Sequence, residues 1–132
     1  MPTHINVSPV IPAITDHEIE ALVAAGGESG ALSASYIPVR LPHEVAPLFR
    51  AWLDAHFPDR AAKVMAIIQQ MRDGRDNDPD FGSRMRGSGP WADLIRTRFR
   101  LAVKRAGLNQ YKWVLDASHF RAPADGTQGE LF

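Results

Sequence analysis

The sequence predicts an α/β fold organised on two parallel strands, and three observations carry that prediction. Ile5–Ile11 is a β-branched apolar run, with Pro9 inside it and Pro12 after it. Ile19, Leu22 and Val23 then recur at helical spacing behind Asp16. A second β-rich run, Leu32–Val39, follows after about one helix. Strand, helix, strand in that order sets the two strands side by side and parallel. Two strands do not make a stable sheet alone, and parallel sheets are ordinarily covered on both faces. The pattern therefore predicts a part of something larger, with an apolar strand edge left open to self-association.

The first helix is expected from Asp16, standing as its N-cap, to about Ala25, with Gly26, Gly27 and Gly30 releasing it. Val45, Leu48, Phe49, Trp52 and Leu53 define the apolar face of a second helix, opened by Pro42 and reaching about Phe57. Pro47 fits only its first turn, since a deeper proline costs about 3 kcal/mol. Asp59 is expected to cap a third helix with Val64, Ile67, Ile68 and Met71 inward and Gly74 at its end. The second and third helices read as a hairpin against the sheet. Residues 73–90 lack an apolar period and read as loop. A fourth helix starts at Pro90, buries Trp91, Ile95, Phe99, Ala102 and Ala106, and ends at Gly107. Tyr111–Leu115 is a candidate short strand, followed by a tail rich in Ala, Pro, Asp and Gly.

Composition narrows the chemistry. The 132 residues suit one domain, and no run of eighteen apolar residues predicts a membrane span. The start, MPTHINV, does not read as a secretion signal, so a cytoplasmic location is expected. Cysteine is absent, which excludes disulfides, thiolate zinc, a cysteine nucleophile and a cysteine-held iron–sulfur cluster within this chain. The five histidines, His4, His17, His43, His56 and His119, are scattered without metal-ligand spacing, so no metal site is expected. The zero net charge hides an asymmetry: residues 82–112 hold eight basic residues against the single acid Asp93. A polyanion responds to such a local patch because screening confines it to a Debye length of about 8 Å.

Two constellations and a tail motif stand out. Arg84 and Arg86 precede Gly87, Gly89 and a helix start, a combination suited to phosphate. Arg96, Arg100 and Lys104 follow at four-residue spacing, where a nucleic acid would relieve their mutual repulsion. A solvated face paired with Asp73–Asp80 accounts for the same residues. In the turn Pro9–Asp16, Ser8, Thr15 and Asp16 are polar groups at the end of a parallel strand, where α/β folds bind ligands; simple helix capping by Asp16 is the plainer account. The tail closes on Gln128-Gly129-Glu130-Leu131-Phe132. Its Gln128 and terminal Leu131-Phe132 resemble the peptide by which bacterial repair and replication proteins dock on the sliding clamp. The match is partial, with Gly129 where leucine is common, and a tail that packs on its own core is the alternative.

PVIPAITDHEI (9–19), IPVRLPHEVAPLFRAWLDAHFPDRAAKV (37–64) and FGSRMRGSGPWADLIRTRFRLA (81–102) together resemble the C-terminal half of a radical S-adenosylmethionine protein. The subfamily is the DNA-repair-photolyase or spore-photoproduct-lyase-like one, and the likeness runs from about Val7 to Asn109. The resemblance implies an incomplete (β/α) barrel fragment over residues 1–40, a helical C-terminal subdomain over 41–109 and a mostly flexible tail over 110–132. It implies that Ile5–Ile11 and Ser33–Val39 are the last two barrel strands, bordering S-adenosylmethionine. Pro9-x-Ile11-x-Ala13-x-x-Asp16 has the spacing of the superfamily's Gly-x-Ile-x-Gly-x-x-Glu motif. That alignment sets Ile11 against adenine, Ser8 near the polar part of the cofactor, and Ala13 where the subfamily has glycine. Tyr36 and Pro38 fall on the second adenine-side strand. The superfamily's Cys-x-x-x-Cys-x-x-Cys motif, which holds the [4Fe–4S] cluster, has no counterpart here. The chain is thus expected to be inactive alone, needing a separate N-terminal half, or to be a non-enzymatic remnant that binds nucleic acid or the clamp.

Overall fold

A computed structural model describes residues 2–111, 114 and 116–121. The elements are β1 (His4–Val10), α1 (Ile19–Glu28), β2 (Ser33–Pro38), α2 (Val45–His56), α3 (Ala61–Met71) and α4 (Gly89–Arg105). The strands are parallel, as their order in the sequence predicts, with Ile5 opposite Ala34 and Val7 opposite Tyr36. The register shifts between Val7 and Val10, so that Val10 lies opposite Pro38.

The two faces of this sheet differ completely. Ile5, Val7, Ala34 and Tyr36 point to one side and pack with Ile19 and Val23 of α1 and Ile95, Phe99, Ala102 and Val103 of α4. Alternation sends His4, Asn6, Ser8, Ser33 and Ser35 to the other side, where they are exposed or half-buried. Helices therefore cover one face only. α4 belongs to the core of the sheet, across the boundary that the sequence suggests at residue 40.

A second core lies beyond the C-terminal ends of the strands. Ile11, Val39 and Leu41 leave the sheet and pack with Leu53, Val64, Met65, Ile68 and Met71 of the α2–α3 hairpin. The hairpin thus caps the end of the sheet and does not lie on its face. Trp91 touches both cores.

Several local expectations are corrected. Asp16 does not cap α1: it opens a 3-10 turn, Asp16–Glu18, and neither helix start has a side-chain cap. Its carboxylate accepts the Trp91 indole N–H at 3.3 Å instead. Gly26 and Gly27 lie inside α1, which runs on to Glu28. A Cβ at Gly26 would collide with Ile5 Cδ1, and one at Gly27 would sit 3.2 Å from the Ala106 Cβ. Close packing, not termination, is their role; Gly30, at φ +87°, makes the turn into β2. Asp59 is likewise not the cap of α3, which has none from a side chain. On α2 only Leu53 is buried, while Leu48 is 67% exposed. Of the candidate strand Tyr111–Leu115, residues 112, 113 and 115 lie outside the described residues, and Tyr111 is exposed.

Candidate functional site

The ends of the two strands are shaped by a short, heavily bonded turn. The Ile11 carbonyl accepts the N–H groups of Ile14, Thr15 and Asp16 at 3.2, 3.0 and 3.3 Å. The Ile11 N–H donates to Thr15 Oγ1 at 2.9 Å, and that hydroxyl donates to Pro9 O at 3.3 Å. Arg60 Nη1 donates to Ala13 O at 3.2 Å. Ala13 has φ +57°, a left-handed conformation that glycine adopts freely and alanine does not. Pro9, Ile11, Val39 and Leu41 floor a groove of about 360 Å³ over the strand ends, walled by Val45, Phe49 and Trp52 of α2, with Arg40 at its rim. The apolar face of α2 thus borders an open groove, a position that suits a flat apolar ligand group.

The uncovered sheet face carries an ordered polar chain. Ser35 Oγ donates to Asn6 Oδ1 at 3.2 Å, so it accepts from His4 Nε2–H at 2.8 Å. His4 Nδ1 is then left to accept the Ser33 hydroxyl proton, also at 2.8 Å. These directions are those of the neutral imidazole.

The sequence-predicted cofactor residues do not converge on one surface. Ile11 lines the groove, and Ser8 lies on the uncovered face. Pro38 is fully buried. Tyr36 points to the opposite, helix-covered face, its ring 4.7 Å from that of Phe99. Burial raises the Tyr36 hydroxyl above its ordinary range, and the neighbouring Arg96 and Arg86 partly oppose that.

The basic residues divide into paired and free. Arg96 pairs with Asp93 at 2.7 Å, and Arg98 with Glu20 through two bonds of 2.8 and 2.7 Å. Arg84 lies over the Phe81 ring at 4.2 Å. Arg86, Arg100 and Lys104 are exposed with no ion pair among the described residues. Of the acidic loop, Asp76 pairs with Arg50 at 2.7 Å, and Asp78 takes the Ser83 hydroxyl. The account in which Asp73–Asp80 neutralise the Arg84–Lys104 row thus fails for these two carboxylates.

Arg72 is the residue that periodicity missed. It is 2% exposed and ties three segments together: Nη2 donates to Val39 O at 2.8 Å and Nη1 to Arg84 O at 3.1 Å, while its backbone ends α3. Burial lowers its basicity, Asp78 opposes that, and Arg40 adds to it. The Nε groups of Arg40, Arg72 and Arg84 are buried without a partner. One acceptor, Asn77 Oδ1, is buried without a partner as well. An arginine directly after an apolar helical stripe was the available signal.

Gln128, Leu131 and Phe132 lie outside the described residues. No group of three or more His, Asp or Glu side chains suited to a metal occurs among the described residues, and no described helix is long and apolar enough to cross a membrane. No protein-family model, curated protein or solved structure matches this chain.

Proposed function

We propose that the chain is one wall of a (β/α) barrel completed by a second, cysteine-bearing half, as the C-terminal portion of a DNA-repair-photolyase-like radical S-adenosylmethionine protein. The observation that supports this reading is the one-sided sheet. In a (β/α) barrel, helices coat the outside of the parallel strands, and an inner face that is not packed with apolar side chains is left to a ligand or water. Here α1 and α4 coat one face, and the other presents His4, Asn6, Ser8, Ser33 and Ser35. A parallel pair with a polar, uncovered face is what a lumen wall requires.

In that assembly the groove over Pro9, Ile11, Val39 and Leu41 receives the adenine of S-adenosylmethionine, and Ser8 lies on the lumen side. The groove's lining is apolar apart from Arg40, which fits a flat ring, and the chain has no thiolate to hold an iron–sulfur cluster. The [4Fe–4S] cluster supplies the electron that cleaves S-adenosylmethionine, and it belongs to the other half. This chain's own part is to orient the cofactor and exclude water from one side. Co-expression with a cysteine-bearing half tests the reading: a brown complex that cleaves S-adenosylmethionine is expected. Colourless, separate proteins overturn it.

A second reading, a non-enzymatic nucleic-acid-binding remnant, is favoured by the unpaired Arg86, Arg100 and Lys104. It predicts DNA retention falling steeply with salt, with a slope reduced by about one for each phosphate contact removed in Arg100→Ala or Lys104→Ala. Retention that is indifferent to both substitutions removes it.

A further inference from the structure

We infer that the outer edge of β1 takes up one further parallel strand from a partner polypeptide, an uncharged segment with apolar residues at alternate positions. This rests on the two-part barrel proposed above and names where, and by what chemistry, the halves join.

The two edges of the sheet are not equivalent. The β2 edge is closed at Ala34, whose N–H and C=O are both taken by the Asn109 side chain at 2.9 and 3.0 Å, and Leu32 O is taken by Asn109 N at 3.0 Å. The β1 edge has no such cover among the described residues: β1 pairs with β2 alone. Beside it runs a groove of about 560 Å³, with Thr3–Ser8 on one side and Leu22, Ala25 and Gly26 of α1, with Ser29 just after it, on the other. Six residues of strand span about 20 Å at 3.3 Å each, enough to pair with a strand of ordinary length.

The lining sets the chemistry of the occupant. Natural edges are guarded by lysine, proline or inward charges. Pro9 bounds the edge at its C-terminal end; along Thr3–Ser8 no Asp, Glu, Lys or Arg lines the groove, and Leu22 is 47% exposed in it. Small residues on α1 leave room for a row of side chains, so the incoming strand sets apolar residues against Leu22 and Ala25. Its intervening residues join His4, Asn6 and Ser8 on the polar face and are small or polar.

A second copy of this chain fits less well. Two β1 edges paired about a two-fold axis would leave the His4–Ser33–Ser35 face open on both copies. A sheet that continues into a partner and curls closes over it.

The test has two arms. In the first, hydrogen exchange is measured on the chain with and without a ten-residue peptide of alternating valine and threonine. Slowing of the outward-facing Asn6 and Ser8 amides by about tenfold or more, lost in Leu22→Lys, supports the edge. In the second, the cysteine-bearing half is titrated against wild type, Leu22→Lys and Ala25→Lys. Tenfold or greater weakening by either lysine is expected. Both positions are exposed on α1, and circular dichroism verifies that the variants remain folded. If the peptide protects β1 and the half does not bind, the edge stands and the radical-enzyme reading falls. If neither peptide nor half responds to Leu22→Lys, the edge proposal is overturned. A dimer of this chain with protected β1 amides assigns the edge to a second copy and overturns the partner assignment.

Discussion

Asn109 acts as a one-residue strand on the outer side of β2. Its side-chain oxygen accepts the Ala34 N–H at 2.9 Å, and its amide donates to Ala34 O at 3.0 Å. The residues are 75 apart in sequence, so this contact fastens the end of α4 to the start of the sheet. Asn109 sits at φ +58°, a conformation that asparagine tolerates better than most residues.

Replacing Asn109 by alanine leaves both Ala34 backbone groups unpaired and keeps the backbone strain. A loss of about 2–3 kcal/mol in urea unfolding is expected, with the Ala34 amide exchanging much faster. Asn109→Gly removes the strain but not the missing bonds, so it should fall about 1 kcal/mol closer to wild type. Equal losses in the two variants would show that the side-chain clamp accounts for all of the effect.

Ala13→Gly is expected to stabilise the protein by about 0.5 kcal/mol. Relief of the left-handed conformation, about 1 kcal/mol, outweighs the added freedom of glycine in the unfolded chain. Thermal and urea midpoints measure it; a lower midpoint would show that the packing of the Ala13 methyl group and the freedom of glycine in the unfolded chain outweigh the relief.

Arg72→Met removes the donors to Val39 O and Arg84 O from a buried site. It should cost about 2–4 kcal/mol and speed hydrogen exchange across residues 80–88 before the rest of the fold opens. Arg72→Lys should recover only part, because an ammonium cannot span both carbonyls as the planar fork does.

Acid stability should carry the mark of Glu20. Its hydrogen bonds from Arg98 hold the carboxyl below its ordinary 4.5, against a smaller opposing effect of burial. A lowered folded value means stability that is complete above the unfolded value and lost as pH falls through the folded one. The pair is partly solvated, so about 0.5–1 kcal/mol is at stake. Glu20→Gln should therefore be less stable than wild type at pH 7, the difference narrowing below about pH 4.5. A gap constant down to pH 2 would assign the effect to packing instead.

Gly26 illustrates how a pattern misleads. A Gly-Gly pair followed by a third glycine at Gly30 reads as a helix stop, because the local backbone preference is all that a sequence window contains. Ile5, twenty-one residues away, decides otherwise: its side chain occupies the place of a Gly26 Cβ, and the helix continues to bring α1 onto β1. Asp16 misleads in the same way, since its partner Trp91 is distant in sequence and near in space.

The chain's own letters determined the parallel strand–helix–strand unit, the four helices, the main buried positions of α1, α3 and α4, and the lack of any thiolate for a cluster. Those properties follow from short-range periodicity and from composition. Tertiary structure alone decided which side of the sheet is covered, that Tyr36 and Ser8 look in opposite directions, that Arg72 is buried, and that Asn109 covers the β2 edge at Ala34 while no described residue covers the β1 edge. Each depends on contacts between segments tens of residues apart, where burial and hydrogen-bond satisfaction outweigh local preference.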